Sequence, residues 1–277
     1  MPDLAVSSWS LHRTLGPIYP ALDVHPGERA AELPYGPGHL CLLDAPAYVA
    51  ALGISAFEVC HFHFPCTDPA YLARLRHSFA VAGVRLATLL IDAGDVAAAD
   101  VTARERDIAR IKDWIDVAAA VGATRVRVIA GITAADPEGR AVQASTAAFR
   151  RLVDYACTRG VAVITENWLA LAARPANLLA LLDGVGRPLG LCADLGNYGG
   201  PTREADLRAI LPRAVTVHAK ADWIEPGAVD AAAFQQCLDW VREAGFSGTY
   251  VLIFDAAGDE RASLLHLADV VRPYLAA

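Results

Sequence analysis

Short apolar, β-branched runs alternate with longer alanine-rich stretches of helical period from one end of the chain to the other. The runs that read as strands are 4–8, 54–60, 84–91, 125–131, 161–166, 188–194, 215–220 and 249–255. Helical segments are expected near 44–52, 68–82, 102–121, 138–159, 175–183, 202–211, 230–244 and 258–275. Residues 102–121 show the period best. Ile108, Ile111, Ile115 and Ala119 share one face, with Arg, Asp and Lys on the other. Thr202 is placed to cap the helix after it, although Ala205 stands where a capping box needs Glu or Gln. Glu204 and Asp206 put negative charge near that helix start, where its dipole favours them.

Eight strands, each followed by a helix, are the count of a closed (β/α)8 TIM barrel, an α/β fold. A doubly wound open sheet is the main rival. Its glycine-rich first turn is missing from Ser7-Ser8-Trp9-Ser10, which follows the first strand. With no composition shift or linker, one domain over 1–277 is expected. A Pro- and Gly-rich stretch at about 12–43 reads as a long loop after the first strand and a candidate lid.

Three of the later strands end in different metal-binding side chains. Val161-Ala-Val-Ile-Thr-Glu166 delivers a glutamate, Asp194 follows 28 residues later and His218 another 24 after that. Parallel neighbours bring their C-terminal ends together, so these three can converge on one ion per chain. Two carboxylates and an imidazole suit Mn²⁺, Mg²⁺, Co²⁺ or Zn²⁺. Strand alternation puts Glu166 on a face with Ile164, Asp194 with Cys192, and His218 with Thr216 and Lys220.

The second strand ends in Glu58-Val-Cys60-His61-Phe-His63-Phe-Pro-Cys66. Its spacing does not match a zinc knuckle, so His61 or His63 is expected to line the pocket, the other packing in the loop. Trp9, Phe62, Phe64, Trp168, Tyr198 and Trp223 lie at or just past strand ends, where they can stack on a ligand's apolar faces or simply pack the rim. Arg127 and Glu58 are expected to pair inside the barrel.

Composition narrows the partners. Net charge is −7, pI is about 5.6, and no basic run is present, which argues against nucleic acid. No apolar run approaches the roughly 18 residues needed to span a membrane. The opening MPDLAVSSWSLH has neither a basic start nor a long apolar core, and so does not read as a signal peptide. Six cysteines without a CxxC pair read as reduced thiols in a cytoplasmic protein. Lysine occurs only at 112 and 220 in an arginine-using chain, a hint that Lys220 serves as a compact point charge.

Taken with these motifs, the chain resembles the xylose isomerase-like TIM-barrel superfamily, in its sugar phosphate isomerase/epimerase branch, over almost its whole length. Members include sugar epimerases, hydroxypyruvate isomerases and inosose dehydratases, with endonuclease IV more distant. The resemblance implies a divalent metal held by Glu166, Asp194, His218 and a second glutamate. That glutamate would fall at Ile253, which can neither ligate nor move a proton. Asp255 lies on the same face, roughly 6.6 Å further along the strand, and either reaches the ion or substrate or points at solvent. Asn197 stands where many relatives carry a substrate-contacting histidine; it keeps hydrogen-bonding capacity but cannot titrate.

The resemblance further implies a small carbohydrate substrate, Glu166 and Lys220 as catalytic groups, and His61, His63, Asn197, Trp168 and Trp9 as substrate contacts. Barrels of this kind often pair, so a homodimer is among the expectations. Two-base epimerisation suffers from the loss at 253, whereas isomerisation or dehydration through an enediolate needs one base. A non-catalytic or metal-free sugar-binding descendant is the alternative. A phosphodiesterase of the endonuclease kind would need several metal ions and many histidines.

Overall fold

The computed structural model describes residues 2–24, 27–225 and 227–275; residues 25 and 26 of the expected long loop lie outside them. Eight parallel strands close into a barrel. They are β1 Asp3–Ser7, β2 Ala56–Cys60, β3 Arg85–Ile91, β4 Arg125–Val128, β5 Ala162–Glu166, β6 Leu189–Asp194 and β7 Ala214–Lys220, closed by β10 Thr249–Ile253. The ring runs β1-β10-β7-β6-β5-β4-β3-β2, so the first strand pairs with both the last and the second. A small antiparallel hairpin, β8 Trp223–Glu225 with β9 Ala228–Val229, follows β7 and was not legible as strand.

The strands form because β-branched and leucine residues fill a wall that is buried on both sides. The helices around them have local reasons to start and stop. The longest, Val101–Val121, begins where the Asp100 carboxylate accepts the N–H groups of Thr102 and Ala103. It ends at Gly122, whose φ of 82° is left-handed. Ile108, Ile111, Ile115, Trp114 and Val121 on its inner face are buried against the sheet. Each such side chain contributes about 1.5–3 kcal/mol on leaving water. Thr202 caps nothing: its side chain makes no cap hydrogen bond, because its own backbone is already helical at φ −95° and ψ −4°.

The stretch after β1 is more ordered than a plain loop. A short helix, His12–Leu15, opens it, and the backbone N–H groups of Arg13 and Thr14 donate to the buried Glu260 carboxylate at 2.8 and 2.9 Å. Further on, the buried Arg29 guanidinium donates to the carbonyls of His61 and Phe64, both at 2.9 Å, and lies over the Trp114 ring. Residues from both ends of the chain and from the loop after β2 therefore hold this segment at the C-terminal mouth of the barrel.

Candidate active site

The catalytic end of a parallel barrel collects whatever residues terminate its strands. Glu166 ends β5, Asp194 ends β6, and His218 lies opposite Asp194 in the β6–β7 register. All three are buried. His218 Nδ1 sits 3.4 Å from Glu166 Oε1 and 3.5 Å from Asp194 Oδ2. The strand ends are locked together: Asn167 Nδ2 donates to the Asp194 carbonyl at 2.9 Å, and the Asp194 N–H returns a bond to Asn167 Oδ1 at 2.7 Å. The Gly196 N–H donates to Asp194 Oδ1, leaving Oδ2 turned toward the imidazole.

Glu58 is not paired with Arg127. It lies on β2 and reaches across the barrel to His218 Nε2 at 3.1 Å, while Thr88 donates to its other oxygen at 2.5 Å. Arg127 on β4 is nearer the strand ends, where Asp92 at 2.5 Å and Glu166 at 3.0 Å capture it. The correction is one of level along the barrel: Glu58 is in register with Thr88, whereas Arg127 is in register with Leu90, two residues nearer the strand ends. Arg127 Nε and Glu166 Oε2 form an ion pair, but no described N–H is aimed at that oxygen, which is buried and unbonded.

Burial works against charge here and the neighbours overrule it. The Glu166 carboxyl, which burial alone would raise, is held down at about 2 by Arg127 and His218. Burial likewise disfavours an imidazolium, yet Glu166 and the hydrogen bond to Asp194 hold His218 well above the ordinary histidine value. Cys192, one layer deeper on β6, has its thiol raised by burial; its sulfur lies within 4.8 Å of ligand atoms of Glu166 and His218.

Lys220 and Asp255 pair at 2.6 Å on the rim. Desolvation pulls the ammonium down, but Asp194 and Asp255 raise it, so it stays charged. Asp255 is thereby engaged by Lys220, and Ile253, directly opposite Lys220 in register, is buried on the pocket wall. Asn197 Nδ2 donates to Glu166 Oε1 at 3.1 Å. Trp9 and Trp168 line the cavity, and the Arg127 guanidinium lies 5.2 Å from the Trp168 ring. The cavity holds about 260 Å³.

His61 and His63 do not line it; Phe62 does. The chain turns into a 3-10 segment at His61–His63 immediately after β2, so strand alternation no longer applies. His61 packs edge-on against Trp114 and accepts the Asp92 N–H, and His63 Nδ1 bonds the Ser8 hydroxyl. Burial pushes them down to about 4 and about 3. Phe64, Tyr198 and Trp223 pack away from the cavity: Phe64 against Trp114, Tyr198 through its hydroxyl on the Ala172 carbonyl, Trp223 against Phe254. Asp92 was missed, although it ends the apolar run 84–91 as Asp194 ends its own. Among the described residues the six cysteines are free thiols, and no helix is long and apolar enough to cross a membrane.

A closed parallel barrel with carboxylates and an imidazole gathered at its C-terminal mouth defines a class of TIM-barrel proteins. The Xylose isomerase-like TIM barrel family matches residues 46–272, and the chain belongs to it. Solved structures agree on the fold. A xylose isomerase-like TIM barrel protein from Mycobacterium smegmatis in complex with magnesium aligns at 18% identity and a TM-score of 0.69, covering 100% of this chain and 97% of its own. An L-ribulose 3-epimerase aligns at 16% identity and 0.73, covering 100% and 95%. The 3-keto-D-glucoside 4-epimerase of E. coli aligns at 14% identity and 0.68, covering 99% and 100%. No curated protein matches the sequence.

Proposed function

We propose that this chain is a divalent-metal-dependent isomerase of a small keto-sugar, working through an enediolate. The observation that carries the reading is one imidazole nitrogen facing two carboxylates, Glu166 and Asp194, while the other nitrogen is tied to Glu58. With Glu58 accepting from Nε2, Nδ1 is the nitrogen that would give up its proton to an ion held between the two carboxylates, as a metal-binding histidine requires. Glu166 Oε2, which makes no hydrogen bond and only the ion pair with Arg127, is a further oxygen an ion could take. Glu166, Asp194 and His218 therefore fit a divalent ion, whereas Asp255 is occupied by Lys220. Held by these three residues, such an ion would supply Lewis-acid stabilisation of negative charge developing on the substrate.

The chain's own groups do the rest. Glu166, ionised at neutral pH, takes the proton from the carbon beside the carbonyl and returns it to the carbonyl carbon on the same face, while the hydroxyl proton passes to the former carbonyl oxygen. One base suffices, which accords with Ile253 and favours isomerisation, or dehydration of a keto-polyol, over two-base epimerisation. The Lys220 ammonium, steadied by Asp255, balances the developing oxyanion. Asn197 orients Glu166, and Trp9 and Trp168 offer faces for sugar C–H groups and exclude water. L-ribulose and 3-keto-glucoside epimerases among the structural neighbours support a small carbohydrate substrate.

Ile253, together with the guanidinium already beside Glu166, favours a second reading, a sugar-binding barrel without turnover. Elemental analysis after Mn²⁺ loading and desalting, beside His218→Ala, tests the site. About one ion per chain, lost in the variant, is expected; no ion defeats the metal-enediolate mechanism. Wash-in of solvent deuterium into a ketose by the loaded protein then separates the isomerase from the binding barrel.

A further inference from the structure

Strand register, not only strand ends, sets what surrounds the imidazole. Glu166 on β5 is directly opposite Cys192 on β6, and Asp194, two residues further on, is directly opposite His218 on β7. Cys192 and Asp194 share one face of β6, so the thiol lies on the inner wall beneath that carboxylate. Cys192, Glu166 and His218 are all buried. Among the described residues, the group of metal-binding side chains whose ligand atoms all lie within 4.8 Å of one another is Glu166, Cys192 and His218. Asp194 approaches the same imidazole at 3.5 Å but is outside that group. Ile253 on β10 has no ligand atom, so Glu166, Asp194 and His218 alone are three donors where zinc takes four.

We infer that Cys192 is itself a ligand of the ion, its sulfur binding as thiolate beside the Glu166 carboxylate and the His218 imidazole. The inference rests on the metal reading of this site and adds to it which ion the chain selects. On binding, the Cys192 proton passes to solvent and a sulfur–metal bond takes its place. A thiolate is a soft donor. It suits Zn²⁺, with Co²⁺ as a spectroscopic stand-in, and adds little for Mg²⁺ or Mn²⁺, which favour oxygen. A cysteine serving only as a small apolar packing group has no use for a carboxylate and an imidazole at its sulfur, because a neutral thiol is a weak hydrogen-bonding partner for either.

Titration of the metal-free chain with Co²⁺, followed by absorption, is the test. Wild type develops a thiolate-to-cobalt charge-transfer band in the near ultraviolet that saturates at about one ion per chain. Cys192→Ser and Cys192→Ala still take up Co²⁺ but lack the band, which separates this thiol from the other free cysteines. Their Zn²⁺ affinity falls roughly tenfold or more while their Mg²⁺ affinity holds. Zinc-edge X-ray absorption of the wild-type chain decides even if neither variant folds: a sulfur at about 2.3 Å belongs in the first shell of the ion that His218→Ala loses. A His218-dependent ion with only nitrogen and oxygen neighbours, or a band unchanged in both Cys192 variants, overturns the sulfur ligand and leaves the metal reading intact. Absence of any bound ion overturns both.

Discussion

Replacing Arg127 by methionine removes the counter-charge of two carboxylates at once. The Arg127 side chain is 4% exposed and Glu166 4%, at 3.0 Å; Asp92 is 12% exposed, at 2.5 Å. At an effective dielectric near 20, the two contacts are worth about 5–7 kcal/mol of attraction each, most of it offset by desolvation of the charges. The uncompensated carboxylates left behind cost about 3–5 kcal/mol. For a chain of this length that corresponds to about 5–9 °C in melting temperature. Calorimetry or urea unfolding of metal-free Arg127→Met beside wild type measures it. Adding Mg²⁺ raises the melting temperature of the variant more than that of wild type, because Glu166 is freed from its competing cation. Converting Asp92 to asparagine in the same chain recovers part of the loss. A metal-free variant within about 1 kcal/mol of wild type, with no greater response to Mg²⁺, refutes the role of Arg127 as counter-charge to Glu166.

Acid lability follows from His61 and His63, which burial holds neutral in the fold down to about pH 4 and about pH 3. The unfolded chain protonates both below 6.5, so stability is complete above that pH and falls as pH drops toward 4 and 3. The slope is about 1.4 kcal/mol per pH unit for each histidine, read by urea unfolding across pH, and His63→Asn flattens it. Gly196→Ala tests Lys220: the added Cβ meets Lys220 Cδ at 2.8 Å and Cγ at 2.9 Å, and the backbone there needs no left-handed φ. Ketose turnover in deuterated solvent drops roughly tenfold or more, with little change in unfolding free energy. Glu58→Leu weakens Mn²⁺ binding by about 10–100-fold in an equilibrium titration, since His218 Nε2 loses the acceptor that sets its tautomer.

Much of the barrel was legible because its signals are local. A strand between helices shows as an apolar run, and a residue that ends such a run lies at the catalytic mouth wherever the strand falls in the ring. Glu166, Asp194, His218 and Lys220 could be named on that ground, and Asp92 obeyed the same rule unnoticed. Boundaries moved by only a few residues, as with β4, which stops at Val128 where 131 was expected. What failed was the turn after β2: one of His61 and His63 was expected in the pocket, whereas the 3-10 segment buries both and leaves Phe62 on the cavity wall.

Partnership across the barrel was beyond the sequence. Glu58 and His218 are 160 residues apart, and only closure of the ring sets them 3.1 Å from each other. No local property of Arg127 distinguishes Glu58 from Glu166 as its partner; its level in the barrel does. The sequence alone determined which side chains stand at the strand ends, since periodicity and strand length are written residue by residue. The tertiary structure decided which of them touch and which charges are compensated. Those depend on strand order and on distances through a medium where an unpaired charge is expensive.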